Sequence, residues 1–346
     1  MTEKLSVSRA SINFFLEEKK SCGNPSPATT SKKLVSFARV AFTTLVALNL
    51  WVNPLVAADP FPRDQPRDIG DNTEAAFKAL FEQGNYQTAQ KYLQQAISRE
   101  PNEPLAYAMQ ASLGYNNQDL TTLESYSAKT LDAAKKLIAS DPLRGNLYAA
   151  VGHFLKGAVI LTREGTVSGA PKALSRLREV YNHLDIAEAI SPTDPELNLI
   201  KGYMDLMLAV NLPFANPQQA INRLEENAGP QYLVDRGIAI AYRDLKKYPQ
   251  ALAYANRALK ITSDNPELYY LKAQILREQA KKQKNPQITQ QALAHFDRAL
   301  EKKSQLSASL VKQIKRERRR TAKKISQEIG TKPEDIGKIR IKVCML

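Results

Sequence analysis

Histidine and cysteine are nearly missing from this chain. Of 346 residues three are His and two are Cys. Cys22 and Cys344 stand at opposite ends, which excludes an internal disulfide framework and a thiolate metal site. No two of His153, His183 and His295 are three or four residues apart, and no Glu-rich zincin-type motif accompanies them. Each is read as a packed or surface residue, and no metal is expected. Gly165 and Gly169 are not followed by Gly-Lys-Ser, so a phosphate loop is not supported. The acidic residues are scattered, with no pair fixed on one face for acid–base work. No catalytic residue and no cofactor is therefore expected, and the chain is read as a non-enzyme. An apolar run of about 20 residues, the length that spans a membrane, is lacking as well. So is sustained period-2 alternation of β-branched residues after residue 70, which leaves an all-α class.

What is present is internal repetition. Between Asp235 and Leu300 the residues Ala239, Tyr242, Tyr248, Ala251, Ala255 and Ala258 keep fixed distances. Ala273, Leu276, Ala292, Phe296 and Ala299 repeat most of them. Ala251-Ala255-Ala258 and Ala292-Phe296-Ala299 share a spacing of four and then three, one face of a helix. Near the N-terminal side Tyr86, Ala89, Ala96 and Pro101 fall at matching places. These positions resemble the tetratricopeptide repeat, a helix-turn-helix unit of about 34 residues. Such a unit cannot bury its own apolar face, so copies must stack. The resemblance implies a right-handed α-solenoid of about six helix pairs over residues 71–301, followed by a basic capping helix over 302–329. Prolines mark the repeat ends at Pro101, Pro142, Pro192, Pro230 and Pro266, at intervals all above the family period. Extra residues are thus expected in the turns within repeats, above all a loop from Arg163 to Pro171.

The flanks read differently. Residues 1–58 comprise a polar, disordered leader and then Lys32, Lys33 and Arg39, the apolar run Val40 to Leu50, and Val56-Ala57-Ala58. This order matches a secretory signal peptide, with cleavage after Ala57 or Ala58; an uncleaved N-terminal anchor is the alternative. Either places the remainder outside the cytoplasmic membrane, in a periplasm or thylakoid lumen. Residues 59–70 carry Pro60, Pro62, Pro66 and Gly70 and are read as a linker, and 330–346 as a loose tail. The layout as a whole resembles a family of exported tetratricopeptide repeat proteins of cyanobacteria. That resemblance implies an envelope setting and protein–protein interaction.

The net charge of +14 is local. Residues 59–301 hold 28 basic and 28 acidic side chains, whereas 302–324 hold ten basic ones and a single acid, Glu317. Two binding surfaces follow. In the first, a protein or peptide lies in the groove of the solenoid. Tyr270, whose position in the family tends to face the groove, is a candidate there with Gln274 and Arg277. The basic and Asn side chains of peptide-clamping relatives are not reproduced, since Tyr270 and Gln274, or Glu74 and Lys78 in the first repeat, stand in their places. In the second, Lys312, Lys315, Arg316, Arg318, Arg319, Arg320, Lys323 and Lys324 bind an anionic membrane surface or envelope polymer. Nucleic acid, the usual partner of a basic stretch, is not expected outside the cytoplasm.

Overall fold

The protein is described by a computed structural model covering residues 59–211 and 216–329, with side chains to residue 326. The signal-like segment and the C-terminal tail lie outside these residues. Among the described residues every regular element is helical. α1 (Asp71–Phe77) runs into a single π-helical turn, Lys78–Glu82, and α2 (Tyr86–Arg99) completes the first pair. α3 (Pro104–Asn116) and α4 (Leu120–Leu137) form the second, and α5 (Pro142–Ile190) is a third pair fused into one element. α6 (Pro195–Asn211) with α7 (Pro217–Asn227), α8 (Gln231–Asp244) with α9 (Tyr248–Ile261), and α10 (Pro266–Gln283) with α11 (Pro286–Glu301) make three more. α12 (Ala308–Ile329) follows them. The architecture is an α-solenoid of six helix pairs with one terminal helix.

Local chemistry explains where these helices start. Asp119, Asp141, Asn265 and Asn285 each accept a backbone N–H of the first turn. Pro142, Pro266 and Pro286 then occupy the first helical position, where a missing N–H costs nothing. Two of the prolines read as repeat ends, Pro142 and Pro266, thus open the next helix. Where paired helices cross, Ala89, Ala96, Ala251, Ala255, Ala258, Ala273, Ala292 and Ala299 are fully buried, and Phe296 fills the gap beside the last of them. The first pair departs from this pattern. Phe77 stands where a small residue is usual, and it packs edge-on against Phe61 at 5.3 Å and against Phe81 at 4.8 Å, beside the widened π turn.

Two expectations fail. The loop from Arg163 to Pro171 is helix: one arm of α5 reaches 164, the next starts at 166, and Pro171 lies inside the second arm. Only Gly165 leaves helical geometry, with φ 81° and ψ 167°. A side chain there would meet nothing within 4 Å, so the left-handed conformation, and not crowding, is what asks for glycine. The extra residues of this repeat lengthen its helices instead of its turn. Residues 59–70 are likewise no free linker. Phe61 and Ile69 are buried, and Pro62 fills the space where a side chain on Gly229 would sit at 2.4 Å.

A solenoid whose repeats touch only their neighbours is also not what forms. The first pair meets the sixth. Asn265 donates from Nδ2 to the carbonyls of Phe81 (3.0 Å) and Glu82 (3.1 Å), and the Tyr86 hydroxyl donates to Glu267, which Arg236 also holds at 2.6 Å. The Tyr86 amide reaches the carbonyl of Gln305 at 2.8 Å, and Ser309 Oγ that of Asn116 at 2.6 Å. The stack bends back until its two ends share hydrogen bonds. Asn265→Ala removes a helix cap and leaves two carbonyls without donors, so it is expected to cost about 2–4 kcal/mol. Urea unfolding of the purified chain measures this; a change under about 0.5 kcal/mol would show that the ends do not depend on each other.

Candidate functional site

The groove candidates are already engaged, and the occupant is the chain itself. α12 lies over the sixth pair with Ile314 and Ile325 buried, as is Leu306 just before it. Its single acid points inward: Glu317 accepts from the Tyr270 hydroxyl (2.7 Å), Gln313 (3.1 Å), Gln274 (3.4 Å) and the Arg277 guanidinium. Gln313 also donates to the Tyr270 oxygen at 2.8 Å, and Gln274 accepts from Arg243 at 2.7 Å. Tyr270, Gln274 and Arg277 therefore converge on one carboxylate, as candidates for a groove should, but that carboxylate is internal. Burial alone would raise the Glu317 pKa; the charge of Arg277 and the hydrogen bonds of Tyr270, Gln313 and Gln274 outweigh it and hold the group below its ordinary 4.5.

The basic residues of α12 divide in two. Arg318 is paired with Asp297, and Lys324 is half-buried with a partner of its own. Lys312, Lys315, Arg316, Arg319, Arg320 and Lys323 are exposed and make no ion pair with the described residues. At the helical advance per residue these six fall within an arc of about 140°, opposite the docked face. They form one continuous cationic stripe.

Elsewhere the N-terminal segment lies against the starts of α5 and α6. Glu196, almost fully buried, accepts from the Tyr148 hydroxyl and lies 3.3 Å from both Arg63 and Arg67. Arg144 grips Glu103 with two hydrogen bonds of 2.7 and 3.1 Å and approaches Glu196 at 3.6 Å. Asp194 stands between Arg63 (3.5 Å) and Arg67 (3.4 Å). Burial raises the Glu103 carboxyl more than Arg144 can lower it, and burial opposes the Arg144 charge that Glu196 and Glu103 sustain. Each carboxylate here faces at least one guanidinium, so the cluster holds elements together and offers no unpaired acid or base. A nearby apolar recess lined by Phe154, Tyr203, Met204 and Ile240 has about 50 Å³ of space, far below a ligand pocket of about 300 Å³ or more.

The histidines are packed against other side chains, and two of them come together. His153 and His183 stack at 5.5 Å with 19° between their planes, and Glu179 joins them. His295 lies apart, stacked on Tyr269 at 6.0 Å. Burial, the neighbouring His183 and the charges of Arg176 and Lys156 push the His153 pKa down to about 4; burial also lowers His183, with Lys135 adding to it. Both rings are therefore neutral at physiological pH. The spacing rule missed this cluster because His153 lies 26 and 30 residues before its partners; only Glu179 and His183, four apart on one helix, were visible as a pair. No described helix is long and apolar enough to cross a membrane.

Among known families, the tetratricopeptide repeat model matches residues 74–122 and 236–307. The chain thus carries such repeats toward both ends, in the segments that meet where the stack closes. No curated protein and no solved structure matches it significantly.

The Glu317 network has a measurable pH signature. Because its folded pKa is depressed, the docking it provides is complete above pH 4.5 and is lost as the pH falls through the folded value. α12 is expected to become protease-sensitive in acid before the repeats unfold. Glu317→Gln should loosen it at neutral pH, at a cost of about 1–3 kcal/mol, and flatten the acid dependence. Limited proteolysis across pH on both proteins checks this; identical profiles would remove Glu317 from the docking.

Proposed function

We propose that this chain, with tetratricopeptide repeats toward both ends, is a non-enzymatic scaffold outside the cytoplasmic membrane. Its site is the cationic stripe of α12, and its partner is an acidic protein surface. Scaffolding of protein partners is what such repeats suggest. The observation that carries the choice of surface is that six unpaired cations share one arc of α12 while Tyr270, Gln274 and Arg277 are spent on Glu317. A groove partner would first have to displace that helix, whereas the stripe needs no rearrangement. The export part of the reading rests on the Lys32–Ala58 layout.

Replacing Lys312, Lys315, Arg316, Arg319, Arg320 and Lys323 by Gln leaves the buried face and the Arg318–Asp297 pair intact. Each change is expected to move stability by under about 0.5 kcal/mol. Binding to an acidic polypeptide such as poly-glutamate should fall by well over tenfold, since each such charge near an anionic surface is worth about 1 kcal/mol. Raising salt on the unaltered chain should act likewise, with screening over about 8–10 Å. Anionic phosphatidylglycerol vesicles form the second arm: retention by vesicles alone would move the partner to a membrane surface. Retention on either that ignores both salt and the substitutions would remove the stripe from the function.

N-terminal sequencing of the native protein tests the export part. A start at Ala58 or Asp59 is expected, and an intact leader on protein recovered from the cytoplasm would overturn it.

A further inference from the structure

We propose that His153, Glu179 and His183 form a site for a zinc-class divalent cation, clasping the two arms of α5. His153 belongs to the first arm, and Glu179 and His183 stand one turn apart on the second, so a bound ion would tie the arms beyond their single-residue joint at Gly165. One donor atom from each lies within 4.8 Å of the others. A tetrahedral zinc with bonds of about 2.0–2.2 Å wants donors about 3.4 Å apart, a closure of little more than an ångström that side-chain rotation supplies.

The surroundings favour coordination over simple packing. Asn146 donates from Nδ2 to the carbonyl of Pro142 at 2.8 Å, which fixes its amide so that Oδ1 faces His183. His183 Nδ1 is 2.8 Å from that oxygen and must therefore carry the proton it donates. Nε2 is left with its lone pair, the arrangement by which an outer hydrogen bond orients a ligating imidazole. His153 is only 8% exposed, and its Nδ1 is buried with no hydrogen-bond partner. A buried polar atom of that kind calls for an explanation, and a cation beside the ring supplies one. The Glu179 carboxylate makes no hydrogen bond or ion pair with the described residues, so it can turn to close on an ion. Two imidazoles and one carboxylate suit zinc and its neighbours and not magnesium or calcium, which require oxygen donors. Three protein ligands leave a fourth position, open on the Glu179 side, for water or for a side chain of another molecule.

The test uses the full chain without a histidine tag, titrated with zinc, with cobalt as a spectroscopic substitute and magnesium as a control. One equivalent of zinc should bind and raise the melting temperature, cobalt should give visible bands without the intense absorption of a thiolate ligand, and magnesium should do nothing. His183→Ala should abolish stoichiometric binding. Glu179→Gln, at a solvent-reaching position where misfolding is not at issue, should weaken it by about tenfold or more. Circular dichroism must show both variants helical. Folded protein that binds no equivalent of zinc, or zinc binding unchanged in either helical variant, would overturn the site.

Discussion

A stack of helix pairs leaves an apolar face bare at each end, and covering those two faces is the constraint on which this structure depends. The chain meets it from its own flanks. At the C-terminal end Leu306 and, from α12, Ile314 and Ile325 pack on the sixth pair. At the other end Phe61 and Ile69, from a segment with no secondary structure, pack beside Phe77. The capped ends then come together through Asn265, Tyr86 and Ser309. Each cover is pinned by charge as well as by apolar area. Glu317 fixes the terminal helix, and Glu196 with Asp194 fixes Arg63 and Arg67 of the N-terminal segment. Buried ion pairs of this kind add little net stability over apolar packing, but breaking one is costly, so they specify which surfaces meet.

The two docking sites share a logic that charge counting conceals. A neutral body of 28 basic and 28 acidic residues looks inert, yet it contains the largely buried cluster of Arg63, Arg67 and Arg144 with Glu103, Asp194 and Glu196. A strongly basic segment looks like a binding tail, yet its one acid does the docking. In α12 the minority charge is the structural one. The excess is left outside, where six cations of α12 face water. Cationic groups held on a rigid, docked helix present a fixed pattern to a partner, which a loose basic tail would not.

How far the sequence reaches is set by how local each signal is. Ala251, Ala255 and Ala258 announce a helix face by spacing alone, and all three are fully buried. Asp or Asn followed by Pro announces a helix start, as at Asp141-Pro142 and Asn265-Pro266. What could not be read was contact across long separations. Nothing near Tyr270 or Arg277 says that a carboxylate forty residues later will take them, and nothing near Arg63 points to Glu196. The segment from Arg163 to Pro171 was misread for a different reason. Two glycines and a proline are strong breaker signals, but the helix continues through Gly169 and Pro171, and one residue of unusual φ, Gly165, suffices for the turn.

That turn makes the third pair the least typical of the set, and the repeat match omits it: residues 123–235 lie between the two matched segments. A short intra-pair turn normally lets small residues draw two helices together near its apex. In α5 the arms run long beyond such contacts, and Leu143, Leu147, Val180 and Leu184 pack near the far end. Alongside that apolar cluster the arms also carry His153, Asn146, Glu179 and His183. Polar groups buried between helices cost stability unless each finds a partner, so a pair held only by packing would replace them with alanine or leucine. The third pair keeps them. Asn146 and His183 hold each other there, while the buried Nδ1 of His153 meets no hydrogen-bond partner among the described residues, a cost that the proposed ion would offset.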